Sequence, residues 1–348
     1  MTIRRSTPKA DIKTMSDIAR LAGVSESTVS RALADSPLVN AKTKDRVRRI
    51  AHSHNYVVNE QARNFRLKRT GTIAVVIPID AKQQQPISDP FFMELLGAIA
   101  DALNARGFDL LLSRVNAGDR HWPDAALDSS RADGTIIIGQ SSQHETLNSM
   151  ADTGAPMVVW GGRLPDQRYS TVGCDNETGA LEATKHLIAQ GRKRIAFMGH
   201  RGWPEVELRY KGYQRALETA GHEIDPDLVF DSRFTSEDAH RVIAHLDLKT
   251  LAFDGLVAAS DVLAMAVINA LQARGIHVPK DVAITGFDDI ALATWYNPPL
   301  TTVRQHILQG GRLLVDLMMS KIAGEAIAPL MMTPELVVRA SSGAHQAD

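Results

Sequence analysis

A single cysteine, Cys174, stands in a chain of 348 residues, so no internal disulfide can form. That fits a reducing compartment, where thiols stay free. No apolar run approaches the ~18 residues that a membrane-spanning helix needs. The basic N-terminus is followed by no apolar signal core, so a cytoplasmic protein is expected rather than an exported or membrane-bound one. The usual marks of an enzyme are missing too. Gly161-Gly162 is followed by no Gly-Lys-Ser/Thr and is therefore no phosphate loop. Asp288 and Asp289 are adjacent, and neighbouring carboxylates need not converge as a hydrolase pair must. No nucleophile constellation is visible. His52 and His54 lie among basic residues and suit solvated or phosphate-facing roles better than metal binding. No catalytic residue, cofactor or metal is expected.

What is present is an ordinary globular composition, 44% hydrophobic and 23% charged. Single cores stop growing near about 250–300 residues, so at least two units are expected. The net charge of −1 conceals an asymmetry. Residues 1–70 hold 15 Lys and Arg against 6 Asp and Glu, a balance of +9. The remaining 24 basic and 34 acidic residues balance at −10. A solvated face explains a short charge run. A whole segment this biased points to a polyanion partner, because Lys and Arg release counterions when they neutralise phosphates. The acidic remainder excludes nucleic acid from running over the larger part.

Within the basic segment, residues 1–13 are polar and patternless, and are read as a disordered tail. Three short apolar sets at helical spacing follow: Met15, Ile18 and Ala19; Val29 and Leu33; Val47, Ile50 and Ala51. Ser16, Ser25 and Asn40 read as their respective start signals, Gly23 separates the first two, and Pro37 closes the second. The run Thr14 to Leu33 fits a helix-turn-helix. Ala19 is small where the helices would cross, Gly23 allows the turn, Val24 and Val29 bury between the helices, and Ser25 caps the second. The N-terminal residues of that second helix would then point into the major groove.

From Thr72 short apolar strands alternate with amphipathic helices. The strands are read as Ile73–Ile79, Leu110–Val115, Thr135–Ile138, Met157–Trp160, Ile195–Met198, Gly255–Ala259 and Val282–Phe287. Near-continuous apolar strands separated by helices imply parallel sheets covered on both faces. There is too much material for one sheet, so two doubly wound lobes facing a cleft are expected. Ligands in such folds bind beyond the carboxyl ends of the strands. Those ends carry the loops 79–90, 160–163 and 200–204, with Ser260 and Asp288–Asp289.

These features resemble the LacI (lactose repressor) family over nearly the whole chain. The head carries Asp17-Ile-Ala, Ala22-Gly-Val-Ser, Thr28-Val-Ser-Arg31, Val39-Asn-Ala-Lys-Thr-Lys and Asn55-Tyr56. Asn59-Glu-Gln-Ala-Arg-Asn-Phe-Arg66 looks like the family's hinge helix. The resemblance implies base reading by Glu26, Ser27 and Arg31, with Thr14, Ser16, Thr28 and Ser30 nearer the phosphates. It adds Tyr56, Asn59, Ala62 and Phe65 as DNA contacts. Arg31 can bind guanine bidentately and Glu26 can accept from a cytosine amine, although Glu26 facing solvent is an equal reading. Val58 stands where the family commonly has proline. Phe65 replaces a leucine that wedges into the minor groove, a task phenylalanine also performs. An isolated helix of this length is marginal in water, so it would order on DNA beside its twin in a second subunit.

In the larger part, Asp175-Asn176, Arg209-Tyr-Lys-Gly-Tyr213, Asp254-Gly, Gly286-Phe-Asp-Asp289 and Pro298-Pro-Leu-Thr-Thr-Val303 resemble the family's periplasmic-binding-protein-like module. The resemblance implies an effector cleft lined by Arg209 and Asp288, with Phe92 and Phe234 as apolar walls. A guanidinium and a carboxylate can bind adjacent hydroxyls while an aromatic face covers a sugar ring. Trp160 and Trp203 would add stacking or serve only as packing. Ser260-Asp261 departs from the family's frequent Asn-Asp pair, and Ser260 shortens a polar contact.

The expected organisation is a tail at 1–13, a helix-turn-helix head at 14–58, a hinge helix and linker at 59–70, a two-lobed effector and dimerisation domain at 71–342, and a tail at 343–348. The expected function is a sequence-specific DNA-binding regulator, a homodimeric repressor of carbohydrate-use genes. It would bind a pseudo-palindromic double-stranded operator under the control of a sugar-like effector. A nucleobase or phosphorylated metabolite as effector remains open, since Phe92 and Phe234 would stack a purine as readily. A sugar-binding or sugar-processing protein with an incidental head is the alternative of a different class, opposed by the basic head and hinge.

Overall fold

The computed structural model describes residues 14–54, 56, 69–80, 85–246 and 253–343. The chain divides into two compact units, Met1–Arg69 and Thr70–Asp348.

The first unit is built from α1 (Met15–Ala22), α2 (Glu26–Leu33) and α3 (Ala41–Ser53). Its core is Ile18, Ala19, Ala22, Val29, Ala32, Val39 and Val47, with Val24, Leu33, Ile50 and Tyr56 packed against it. The cap of α1 is Thr14, not Ser16. Thr14 accepts from the Asp17 amide, and the Asp17 carboxylate reaches back to the Thr14 amide, a reciprocal capping box. Ser16 lies inside the helix because it is not in a position to accept from the first free amides. Ser25 and Asn40 do cap α2 and α3. Gly23 ends α1 at φ +61°, a left-handed conformation that glycine adopts without a side-chain clash. The second helix ends at Leu33, before Pro37 is reached, and Asp35 turns the chain at φ +56°.

In the second unit the chain first lays down β1 (Thr72–Ile79), α4 (Pro90–Asn104), β2 (Asp109–Asn116), α5 (Trp122–Ala126), β3 (Gly134–Ile138), α6 (His144–Asp152), β4 (Met157–Trp160) and β5 (Thr171–Cys174). It then crosses to a second lobe. That lobe comprises α7 (Asn176–Ala189), β6 (Ile195–Met198), α8 (Pro204–Thr219), β7 (Val229–Phe230), α9 (Ser236–Ala244), β8 (Gly255–Ala258), α10 (Asp261–Gln272), β9 (Ala283–Asp288), α11 (Ala291–Trp295) and β10 (Thr301–Arg304). The chain returns to the first lobe for α12 (Ile307–Ile322) and β11 (Leu330–Met332), and ends in the second with β12 (Glu335–Val337).

The first sheet has the order β11-β5-β4-β3-β1-β2 and the second β12-β10-β9-β8-β6-β7. The described pairs are parallel except β10 with β12. Each sheet is covered by helices, as continuous apolar runs such as Ile73–Ile77 and Gly134–Ile138 require. Three chain crossings lie side by side where the lobes meet, at 174–176, 304–307 and 332–335. The Asp175 amide donates to the Met332 carbonyl there, at 3.1 Å. No helix among the described residues is long and apolar enough to cross a membrane.

Candidate DNA interface and effector cleft

In the head, Ser25, Glu26, Ser27 and Arg31 are exposed on α2, with Thr28 and Ser30 half-buried. Helical spacing puts Ser27 and Arg31 on one face and Glu26 beside it. The Ser27 and Thr28 hydroxyls each share a hydrogen bond with Ser25 Oγ, at 2.8 and 2.9 Å, which holds the first turn together. The side chains of Glu26 and Arg31 make no hydrogen bond within the described residues, so both are free to bind elsewhere. Thr14 spends its hydroxyl on the capping box. Ser16 is exposed, and Tyr56 packs on the head core. Asn59, Ala62 and Phe65 lie outside the described residues.

The larger unit holds an open cavity of about 740 Å³, mouth included, between its lobes. It is built from residues at and just beyond the carboxyl ends of strands and from the first turns of the helices Pro90–Asn104 and Pro204–Thr219. β1, β3 and β4 of the first lobe contribute Ile79, Gly139, Ser141 and Trp160. β8 and β9 of the second contribute Ser260 and Asp288. All six residues read as effector contacts, Phe92, Trp160, Arg209, Phe234, Ser260 and Asp288, line this one cavity.

Arg209 is 6% exposed and lies over the Phe287 ring at 3.8 Å. Its Nε donates to Asn176 Oδ1 at 2.8 Å and its Nη1 to the Ala259 carbonyl. Asp288 Oδ1 stands 4.0 Å from that Nη1 and accepts from Gln305 Nε2 at 2.5 Å. The backbone explains why the neighbouring acids part company. Asp288 has φ +128° and Asp289 φ +55°. Such conformations cost a non-glycine residue about 1–3 kcal/mol each and persist where surrounding bonds enforce them. Here Asp289 is clamped by Arg304 Nε and Arg339 Nη2, each at 2.7 Å, while Asp288 turns to the cavity.

Sequence reading missed several lining residues. Asp89 caps α4 by accepting from the Phe91 amide, and also accepts from Gln85. Glu205, in the first turn of α8, accepts from the Gln140 amide at 3.2 Å. Burial pushes the carboxyls of Asp89 and Glu205 above the ordinary range. It pushes Asp288 well above it, opposed by the charge of Arg209. Phe91 also lines the cavity, 5.6 Å from Phe92 and 6.0 Å from Trp160 between ring centroids, and is less buried than Phe92. Trp203 packs against a tilted Phe234 at 5.0 Å and meets His200 edge-on at 4.9 Å between ring centroids, and it belongs to the cavity wall. An aromatic pair following a strand end at a helix start was the signal available for Phe91. Nothing in the sequence distinguished Glu205 from a solvated acid. Ser260 spends its hydroxyl accepting from the Leu263 amide as the cap of α10. Cys174 is buried, and burial pushes its thiol up to about 12.

Residues 14–59 match the family described as bacterial regulatory proteins, lacI family, and residues 184–342 match the periplasmic binding protein-like domain. The HTH-type transcriptional regulator CelR of Thermobifida fusca is 33% identical over 335 residues, covering 94% of this chain and 98% of that protein. This chain belongs to the LacI family. The repressor CytR of Escherichia coli K12 is 30% identical over 337 residues, covering 95% of this chain and 96% of its own length. A solved CelR–cellobiose complex superposes with a TM-score of 0.69 at 31% identity, covering 95% of this chain and 100% of that one. The Lac repressor dimer bound to operator and the anti-inducer ONPF shares the fold, with a TM-score of 0.81 at 23% identity over 95% of this chain and 99% of that one. As a LacI-family member, the chain is a DNA-binding transcription regulator and not an enzyme.

Proposed function

We propose that this regulator is a homodimeric repressor of carbohydrate-use genes, released or engaged at a pseudo-palindromic operator by a neutral sugar held in the interlobe cavity. The observation that carries the ligand class is the charge of the cavity. Asp89, Glu205 and Asp288 face it, and among the described residues that line it Arg209 is the one cation. A phosphorylated metabolite would meet three carboxylates with a single guanidinium already engaged with Asp288. A polyol suits the same groups, since hydroxyls donate to carboxylates and accept from a guanidinium while aromatic faces cover C–H surfaces. A relative solved with cellobiose supports this class.

In the head, Glu26, Ser27 and Arg31 read base edges. Thr14, Ser16, Thr28 and Ser30 lie nearer the phosphates, and Tyr56, Asn59, Ala62 and Phe65 extend the contact towards the minor groove. A second copy of the chain would cover Met93, Leu292, Trp295 and Leu308, exposed apolar side chains on α4, α11 and α12.

The test has two steps. Genomic fragments flanking the gene are selected for binding, which yields an operator fragment. Melting is then followed in the presence of neutral mono- and disaccharides, sugar phosphates and purine nucleosides, since a ligand that favours the native state raises its apparent stability. A shift by neutral sugars alone, with a change in operator affinity, is expected. A shift by phosphates or purines alone overturns the sugar assignment.

A further inference from the structure

Two glutamates pointing in opposite directions reach across the two lobes of the larger unit. Glu94, on α4 of the first lobe, accepts from the Ala291 amide at the start of α11 in the second, at 2.8 Å. Glu205, on α8 of the second lobe, accepts from the Gln140 amide in the first, at 3.2 Å. The Glu205 bond alone lies inside the cavity, where Glu205 is a lining residue and Glu94 is not.

The partner of Glu205 is rigidly held. Gln140 is fully buried, and its side chain exchanges two hydrogen bonds with the Gly162 backbone, each 2.9 Å. Its Nε2 also donates to Tyr169 Oη at 2.8 Å. The loop after β3 is thereby riveted to the loop after β4, and there is no room to slacken it: a Cβ on Gly161 would meet Gln140 Cδ at 2.6 Å. At the other end, Glu205 sits on the first turn of a long helix that also carries Arg209. A carboxylate accepting from an amide is a charge-assisted bond, stronger than a neutral one. A bond between two stiff bodies fixes their relative angle, and a ligand filling the cavity must touch it.

We propose that Glu205 is a cross-cleft clasp. In the ligand-free protein its carboxylate, bound to the Gln140 amide, sets the angle between the lobes. It is thereby the contact through which a cleft ligand resets that angle. The second statement rests on reading the cavity as the effector site; the first does not.

The experiment is done on the full-length protein without ligand, using the operator fragment selected above. Hydrogen exchange of the Gln140 and Ala291 amides, the radius from X-ray scattering and operator affinity are measured for the wild type, Glu205→Ala, Glu205→Gln and Glu94→Ala. Glu205→Ala is expected to speed exchange at Gln140 about tenfold, enlarge the scattering radius and shift operator affinity about fivefold or more. Glu205→Gln keeps an acceptor oxygen without the charge and is expected to fall between the wild type and the alanine variant. Glu94→Ala loosens Ala291 and leaves Gln140 protected. If Glu205→Ala leaves Gln140 exchange or operator affinity unchanged, or if the glutamine variant is as impaired as the alanine variant, the clasp is overturned. A screen in which no small molecule binds would instead defeat the effector reading, and the ligand-free measurements would still decide on Glu205.

Discussion

Arg209 shows how a ligand-facing side chain can also be a structural one. It is buried, and its nitrogens are committed to Asn176 and Ala259 as well as facing Asp288. Removing one partner of a buried charge pair leaves the other uncompensated, at about 3–5 kcal/mol. Arg209→Ala should therefore lower the melting temperature by several degrees before any ligand is added. A variant that melts like the wild type would show that the guanidinium supports nothing but ligand. Behind Asp288 lies Asp261, fully buried, bonded to the Ile290 amide and to Thr302 Oγ1, with its carboxyl pushed up to about 7 by burial. An acid whose folded value is raised contributes stability that is complete below its unfolded value near 4 and is lost as pH climbs towards 7. Asp288 shifts in the same direction. Melting should thus fall between pH 4 and pH 8, the first value lying at the foot of that window and the second about one unit above its end. Asp261→Asn should flatten the fall; an unaltered slope would assign the pH dependence elsewhere.

Among the elements, local signals were legible where a single turn of chain decides the outcome. Ser25, Asn40 and Gly23 act as their residue types predict. Ser16 was misread because Thr14 and Ser16 are both cap residues, and only the Asp17 side chain reaching back selects Thr14. The strands expected from apolar runs are present within a residue or two. β7, β11 and β12 are two or three residues long and lie at sheet edges, so no periodicity marked them, while β5, with Thr and Gly, and β10, with two Thr, lack an unbroken apolar run. The pairing of α7 with α8 was equally invisible. At Gly212 a Cβ would meet the Glu177 carbonyl at 2.1 Å, so the two backbones approach only because that side chain is absent. Gly212→Ala should cost about 1–3 kcal/mol by overpacking. The same substitution at Gly97, where no neighbour stands within 4 Å, should be neutral or mildly stabilising in a helix. Thermal melts of the two variants side by side check both; equal behaviour would contradict the close-approach account.

For the whole molecule, charge and apolar surface set the expectations. The +9 of residues 1–70 implies several phosphate contacts per subunit. If a dimer makes about six, operator affinity should drop about 10³-fold between roughly 50 and 200 mM salt. A flat salt response would remove the electrostatic basis of DNA binding. Trp295 is 85% exposed, which is unusual for so large an apolar side chain. Trp295→Glu should leave the fold intact, since the site makes few contacts within the chain, and shift the protein towards monomer. Sedimentation analysis that finds the variant as dimeric as the wild type would place the interface elsewhere.

The sequence by itself determined the two-part division, the helix-turn-helix, the parallel lobes and the position of the cleft. Each follows from quantities that are local or additive along the chain: charge balance, apolar period, caps and strand ends. It also supplied Arg209 and Asp288, which family motifs carry, Trp160, which ends a strand, and Phe92 and Phe234, which the resemblance implies outside those motifs. The tertiary structure decided what those motifs leave open. It brought Asp89, Glu205 and Phe91 to the same cavity, sent Asp289 away to Arg304 and Arg339, and joined the lobes through Glu94 and Glu205. These are pairings between residues far apart in the chain, such as Gln140 with Glu205 and Glu94 with Ala291. No local pattern encodes them, because a carboxylate reads the same in sequence whether it meets water or a buried amide, and only the packing of the lobes selects its partner.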